Sequence, residues 1–121
     1  MRLTYHLVPA TDWAAAAGAR AYAAPSLADE GFIHCTDGEA EVLATGDRHY
    51  RSDGRPYVVL TIDLDEVGVP WRTDDPGRTF PHVFGAIPRS AVLAVHSVER
   101  APDGSFLAIG TAFAEDWTPT L

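Results

Sequence analysis

Pro25-Ser26-Leu27-Ala28-Asp29-Glu30-Gly31-Phe32-Ile33-His34-Cys35-Thr36 compresses a helical turn, a strand and the start of a second helix into one short stretch. Ser26 and Asp29 have the spacing of a capping box, and Gly31 is placed to take the left-handed conformation that ends a short helical turn. Phe32-Ile33 reads as a brief buried strand that carries His34 and the single cysteine, Cys35, at its far end. Thr36 and Glu39 repeat the capping-box spacing, which predicts a helix from Asp37 to about Arg51. A histidine and a thiol therefore sit where a strand end meets a helix N-terminus, whose unpaired N–H groups favour anions. The plainer alternative is a corner with a buried thiol and a hydrogen-bonded histidine.

Working outward, Leu3 to Val8 alternates as a strand, with Tyr5, Leu7 and Pro9 on one face and Thr4, His6 and Val8 on the other. Thr11 is placed to cap a helix carrying Trp13, a core residue, and Gly18 ends it. Ala40, Leu43 and Ala44 mark the inner face of the helix after Cys35, and Arg48, His49, Tyr50 and Arg51 form its last turn. Cations there suit the helix dipole, and two arginines around a tyrosine also suit a phosphate. Tyr57 to Leu64 is apolar and β-branched enough for a central strand. Pro81 lacks a ladder donor, which predicts an edge or irregular strand for Phe80-Pro81-His82-Val83-Phe84-Gly85. Ile87-Pro88-Arg89-Ser90 predicts a helical turn begun by Pro88. Val92 to Glu99 and Phe106 to Phe113 predict a hairpin across Pro102-Asp103-Gly104, with His96 and Ser97 structural. The tail from Glu115 to Leu121, with Trp117, is expected to pack over a sheet edge. The sum is an α+β fold, one domain over residues 1–121, with strands dominant and two main helices early.

At 121 residues the chain can bury one core. A net charge of −8 argues against nucleic acid or an anionic membrane as the main partner. No apolar run is long enough for a bilayer, and Met1 to His6 reads as a strand rather than a signal core. A single cysteine cannot form an internal disulfide, so a cytoplasmic location is expected. All nine cationic side chains are arginine. Without lysine there is no Schiff-base chemistry and no P-loop, which leaves arginine forks as the clamps for phosphate or carboxylate.

His6, His34 and His82 stand beside strand-like segments, and neighbouring strands would bring their imidazoles to one cleft. A zinc site of these three with Cys35 has the right ligand types. No pair has zinc-motif spacing, however, and Cys35 should point away from His34, so no metal is expected. A cysteine nucleophile with a histidine base is a second option, helped by the helix N-terminus and opposed by the same alternation. The third is a histidine-dependent phosphoesterase: His34-Cys35-Thr36 has the histidine-x-threonine form, but neither His6-Leu7-Val8 nor His82-Val83-Phe84 supplies a second copy.

Tyr5-His6-Leu7-Val8-Pro9, Trp13, Ser26 to Cys35, Arg48 with Tyr50, and Phe80 to Gly85 occur in one order. That order resembles a small bacterial family of proteins of unknown function, numbered nine-five-two, over residues 5 to about 95. The family's fold is similar to that of ADP-ribosyltransferases and RNA 2′-phosphotransferases. The resemblance implies a split, mostly antiparallel β-core whose cleft takes a nucleotide, with NAD as substrate rather than resident cofactor. It implies that His6 anchors a ribose and that His34, Thr36 or Tyr50 supports the nicotinamide; taken with the three-histidine cleft, His34 would position or protonate the reacting group and His82 would close the pocket. Thr36, Arg48, Tyr50 and Arg51 would bind substrate, with Arg72 a further guanidinium. Glu99 is the nearest position to the glutamate that many transferases carry on a late strand. The rival from another class is a non-catalytic module whose cleft binds a small metabolite.

Overall fold

The computed structural model describes residues 1–113, so the tail from Glu115 to Leu121 lies outside the described residues. The chain runs β1 (Leu3–Pro9), α1 (Ala10–Ala15), β2 (Ala21–Tyr22), α2 (Pro25–Glu30), β3 (Ile33–His34) and α3 (Glu39–His49). It continues through β4 (Tyr57–Asp63), β5 (Trp71–Thr73), β6 (Pro81–Val83), β7 (Ile87–Pro88), β8 (Val92–Arg100) and β9 (Phe106–Phe113). Short 3-10 turns cover Leu64–Glu66 and Arg89–Ala91.

The main sheet has the order β1-β4-β8-β9, with every neighbouring pair antiparallel. β4 is central because it is apolar on both sides, as strands covered on two faces must be. Val58, Leu60 and Ile62 enter the larger core with Trp13, Ile33, Val83 and Ile87. Tyr57 and Val59 face the other way, into a smaller core with Leu7, Val42 and Phe106 beneath α3. Over the larger core lie two small antiparallel sheets, β3-β6-β5 and β2-β7. The fold is α+β, mostly antiparallel, with three α-helices among the described residues: the two main ones, α1 and α3, and α2 at the expected helical turn before Gly31. No helix among them is long and apolar enough to cross a membrane.

Several local expectations are corrected. α2 begins with Pro25 at its first position, and Ser26 makes no capping hydrogen bond. Proline's fixed φ serves that position without a side-chain cap. α3 begins at Glu39 after Gly38 (φ 91°), so neither Asp37 nor a Thr36 cap opens it. Its buried positions are Val42 and Gly46, where the Phe106 ring leaves no space for a Cβ, rather than Ala40 and Ala44. α1 starts at Ala10 behind Pro9, with Thr11 inside it. β6 is the middle strand of its sheet, not an edge. Pro81 is tolerated there because it is the first residue of a three-residue strand. Pro88 ends β7 and precedes a 3-10 turn.

The feature that positions the site is the seam between the main sheet and the β3 sheet. The free edge of β1 meets the end of β3 at one residue pair, Tyr5 N–H to Thr36 O at 2.9 Å and Thr36 N–H to Tyr5 O at 2.8 Å. Side chains extend the seam both ways. His6 Nδ1 lies 2.6 Å from the His34 carbonyl oxygen, and Arg2 forks onto Asp37 at 2.7 and 3.1 Å. Above this seam, between α2 and α3, the β1 edge is open, and a cleft forms.

Candidate active site

The cleft has two lobes. The smaller, of about 280 Å³, lies against β1 and includes His6, Pro9, Asp12, Tyr22 and Arg55. The larger, of about 600 Å³, lies over β3 and β6 and includes Arg48, Asp75, Phe80 and His82. Glu30, His34, Thr36, Thr45 and Tyr50 line both, so the lobes meet at these side chains.

His34 stands at the junction. Gly31, at φ 89°, ends α2 and turns the chain so sharply that Glu30, the last residue of α2, faces His34, the last of β3. Glu30 Oε2 lies 2.6 Å from His34 Nε2, with both side chains about half exposed. The imidazole is edge-on to Phe32 at 4.8 Å and to His82 at 5.5 Å between ring centroids. His82 is the register partner of His34 and stacks flat on Phe32 at 4.1 Å, with Asp74 3.5 Å from its Nδ1.

His6 lines the smaller lobe, yet both of its nitrogens are engaged. A carbonyl can only accept, so His6 donates Nδ1–H to the His34 carbonyl, and Nε2 accepts from the Tyr22 hydroxyl at 3.1 Å. Burial pushes the His6 pKa down to about 4, which keeps the ring neutral in this role. Tyr22 is itself packed edge-on against the fully buried Trp13, and burial pushes its hydroxyl pKa up.

The remaining sequence candidates divide. Thr36 is buried and belongs to both lobes. Tyr50 stacks on Tyr57 at 5.2 Å, and burial, then Glu30, raises its pKa. Arg48 reaches the Thr45 hydroxyl at 3.2 Å and lies 5.8 Å from the Phe80 ring centre; among the described residues it pairs with no carboxylate. Arg51 is not in the cleft. It pairs with Asp103 at 2.7 Å and lines a separate crevice beside the hairpin turn, because the chain reverses just after Tyr50. Arg72 is held by Asp74 over the Phe84 ring, and Glu99 lies on β8 opposite Ala108, outside both lobes.

Cys35 is 1% exposed, and burial pushes its thiol up to about 12. This runs against the expected helix-terminus activation: desolvation disfavours the thiolate that a nucleophile needs, although Cys35 borders the larger lobe. Native protein at pH 8 should therefore leave Cys35 unlabelled by a thiol-specific disulfide reagent that labels it rapidly in denaturant. Fast native labelling would contradict this burial. Among the described residues no group of three or more His, Cys, Asp or Glu side chains is arranged to hold a metal ion.

Sequence reasoning missed Glu30 and Arg55 as cleft residues. Glu30 stands four positions before His34, a spacing informative on a helix, but here a glycine turn intervenes. Arg55 is clamped on Asp53 by contacts of 2.7 to 3.1 Å, and this pairing holds the Asp53 carboxyl far below its usual range.

A family model described as "Protein of unknown function (DUF952)" matches residues 7–95. No curated protein matches the chain. Among solved structures, the crystal structure of protein CC0527 from Caulobacter crescentus is 26% identical, covering 87% of this chain and 93% of that one at a TM-score of 0.70. The solution NMR structure of CC0527 is 22% identical over 86% and 90%, with a TM-score of 0.65. CC0527 is a structural-genomics target for which no function is named.

Proposed function

The chain belongs to the DUF952 family of proteins of unknown function, and from the cleft that its fold encloses we propose that it binds NAD or a related phosphorylated nucleotide in an ADP-ribosyltransferase-like pocket. The observation that carries this reading is the mixture of charge around the cleft. Asp12 lies in the smaller lobe, where Arg55 is spent on Asp53, and Glu30 lies where the lobes meet. Arg48, bound to no carboxylate among the described residues, lies in the larger, where Asp75 accepts from the Thr79 and Phe80 backbone N–H groups. A purely anionic ligand would meet repulsion at one end. NAD carries a cationic nicotinamide ring and an anionic pyrophosphate, so Asp12 and Glu30 would face the ring charge and Arg48 the pyrophosphate. Lobes of about 280 and 600 Å³ joined at His34 are of the size that takes such a ligand.

In this reading Arg48 offsets the pyrophosphate charge, Tyr50 and Thr36 line the waist, and His34 faces the ribose that bears nicotinamide. His82 borders the larger lobe. His6 holds β3 in place, since both its nitrogens are already used inside the protein. Calorimetric titration tests this. NAD and ADP-ribose should bind, NADH, which lacks the ring charge, should bind several-fold more weakly than NAD, and Arg48→Ala should weaken all three about tenfold. No heat with any of them at millimolar concentration would end the proposal.

The cross-strand pair His34 and His82, 5.5 Å apart, favours a second reading as a histidine-dependent phosphoesterase. Turnover of a nitrophenyl phosphate or cyclic nucleotide, lost in His82→Ala, would select it instead.

A further inference from the structure

We propose that Glu30 and His34 form a general-base pair, in which Glu30 fixes the imidazole so that Nδ1 takes a proton from water attacking the bound nucleotide. This rests on the NAD reading above and gives it a reaction. Glu30 Oε2 is a carboxylate oxygen and accepts only, so the 2.6 Å contact places hydrogen on His34 Nε2. Nδ1 is then bare. Among the described residues it has no hydrogen-bond partner, on a ring that lines both lobes. The ring is also held in place. Phe32 and His82 pack against it, the Ile33–His34 strand pairs with β6, and His6 grips the His34 carbonyl.

The pair is not an ordinary exposed contact along one helix. Its members end different elements, and the left-handed turn at Gly31 brings them face to face. Exposed carboxylate–histidine contacts contribute little to stability, so the arrangement is not explained by folding. It does fit a base whose developing positive charge a neighbouring carboxylate stabilises. It also supplies a carboxylate to a cleft that Glu99 does not reach.

The step balances with water as the only co-reactant. A water O–H proton passes to Nδ1, and the oxygen forms a bond to C1′ of the ribose that bears nicotinamide. The C1′–N bond breaks, its electron pair returns to the ring nitrogen, and nicotinamide leaves neutral. Nδ1 then releases its proton to solvent, so NAD and water give ADP-ribose, nicotinamide and one proton. His34 is the catalytic residue, and Glu30 is a positioning residue that acts through it.

Two measurements separate this proposal from the binding reading. Nitrogen-15 NMR of the histidine rings in the ligand-free protein should show His34 with hydrogen on Nε2 and a bare Nδ1. Glu30→Ala should abolish that preference and Glu30→Gln, which keeps an acceptor, should retain it. A His34 with hydrogen on Nδ1 overturns the pair whatever NAD does. In the second, wild type should release nicotinamide from NAD. At saturating NAD, Glu30→Gln should be about tenfold slower and Glu30→Ala about a hundredfold slower, with melting temperature unchanged. NAD bound without release, or released equally fast by all three proteins, overturns the general-base proposal and leaves the binding site standing. Absence of NAD binding overturns the binding reading and with it this reaction.

Discussion

Arg100→Ala is expected to lower stability by about 1–3 kcal/mol, the range for leaving backbone acceptors without their hydrogen-bond donor. Arg100 ends β8 and spends all of its donors on backbone carbonyls. Nη1 reaches the oxygens of Asp53 and Arg55, Nη2 those of Tyr50, Arg51 and Gly104, and Nε that of Gly104 again. Its guanidinium lies 4.2 Å from the centre of the Phe106 ring and 5.7 Å from that of Tyr57. One side chain thus ties together the end of α3, the turn into β4 and the hairpin turn between β8 and β9. The carbonyls after α3 carry the negative end of its dipole, so a cation is favoured there twice over. Alanine leaves the part-buried Asp53 and Gly104 oxygens without this donor, while the Tyr50 oxygen keeps the Asp53 N–H. Lysine, with three donors on a point charge, should recover only part of the loss. Gly104 belongs to the same knot, because at φ 91° a Cβ there would strike the Arg51 carbonyl. Urea unfolding of the two variants measures the effect, and a loss under about 1 kcal/mol for alanine would mean that water replaces the guanidinium.

Acid should weaken the fold through His6 by up to about 3 kcal/mol, from a pKa held at about 4 against 6.5 for the free side chain. The sign follows from proton binding. Between pH 6.5 and 4 the unfolded chain protonates this imidazole while the folded chain keeps it neutral, so the unfolded state gains as pH falls. The contribution is complete above pH 6.5, declines through that window, and is lost below about pH 4. Burial is the main cause, and the His34 carbonyl on Nδ1 works in the opposite direction. His6→Gln removes the titrating group. Its stability at neutral pH should be lower than wild type, because Tyr22 and the His34 carbonyl lose a fitted partner. Its stability between pH 6.5 and 4 should be distinctly flatter. Parallel slopes for the two proteins would show that other groups set the acid response.

Elements with strong local patterns were readable in the chain. β4 announces itself by unbroken β-branched and apolar residues, because both of its faces are covered. The β8–β9 hairpin follows from Pro102-Asp103-Gly104, and the contrast between a half-exposed His34 and a buried Cys35 follows from strand alternation. What could not be read depends on competition or distance. Pro25 and Gly38 overrode two well-spaced capping boxes, since a preset φ or a left-handed entry fixes a helix start without a side-chain oxygen. Pro81 looked like an edge signal, but a three-residue strand that begins with proline has no missing rung at its centre. The gathering of His34, Glu30, Arg48 and Tyr50 needed the β1 edge to run beside β3, and nothing local encodes that neighbour. His6 was marked by its place on β1; its engagement by Tyr22, sixteen residues away, was invisible. Arg100 gave no sign at all, because one arginine at a strand end is ordinary until three loops converge on it.

The join between the two sheets has a practical corollary. Among the described residues the polar ties between β1 and the stretch from His34 to Asp37 are the Tyr5–Thr36 rungs, the His6 contact and the Arg2 fork, and the cleft opens above them. An occupant touching both walls would act as a splint across that seam. Its free energy of association would add to that of folding and appear as a rise in the unfolding midpoint. A library of nucleotides and metabolites can therefore be ranked by thermal shift alone, before any turnover assay exists.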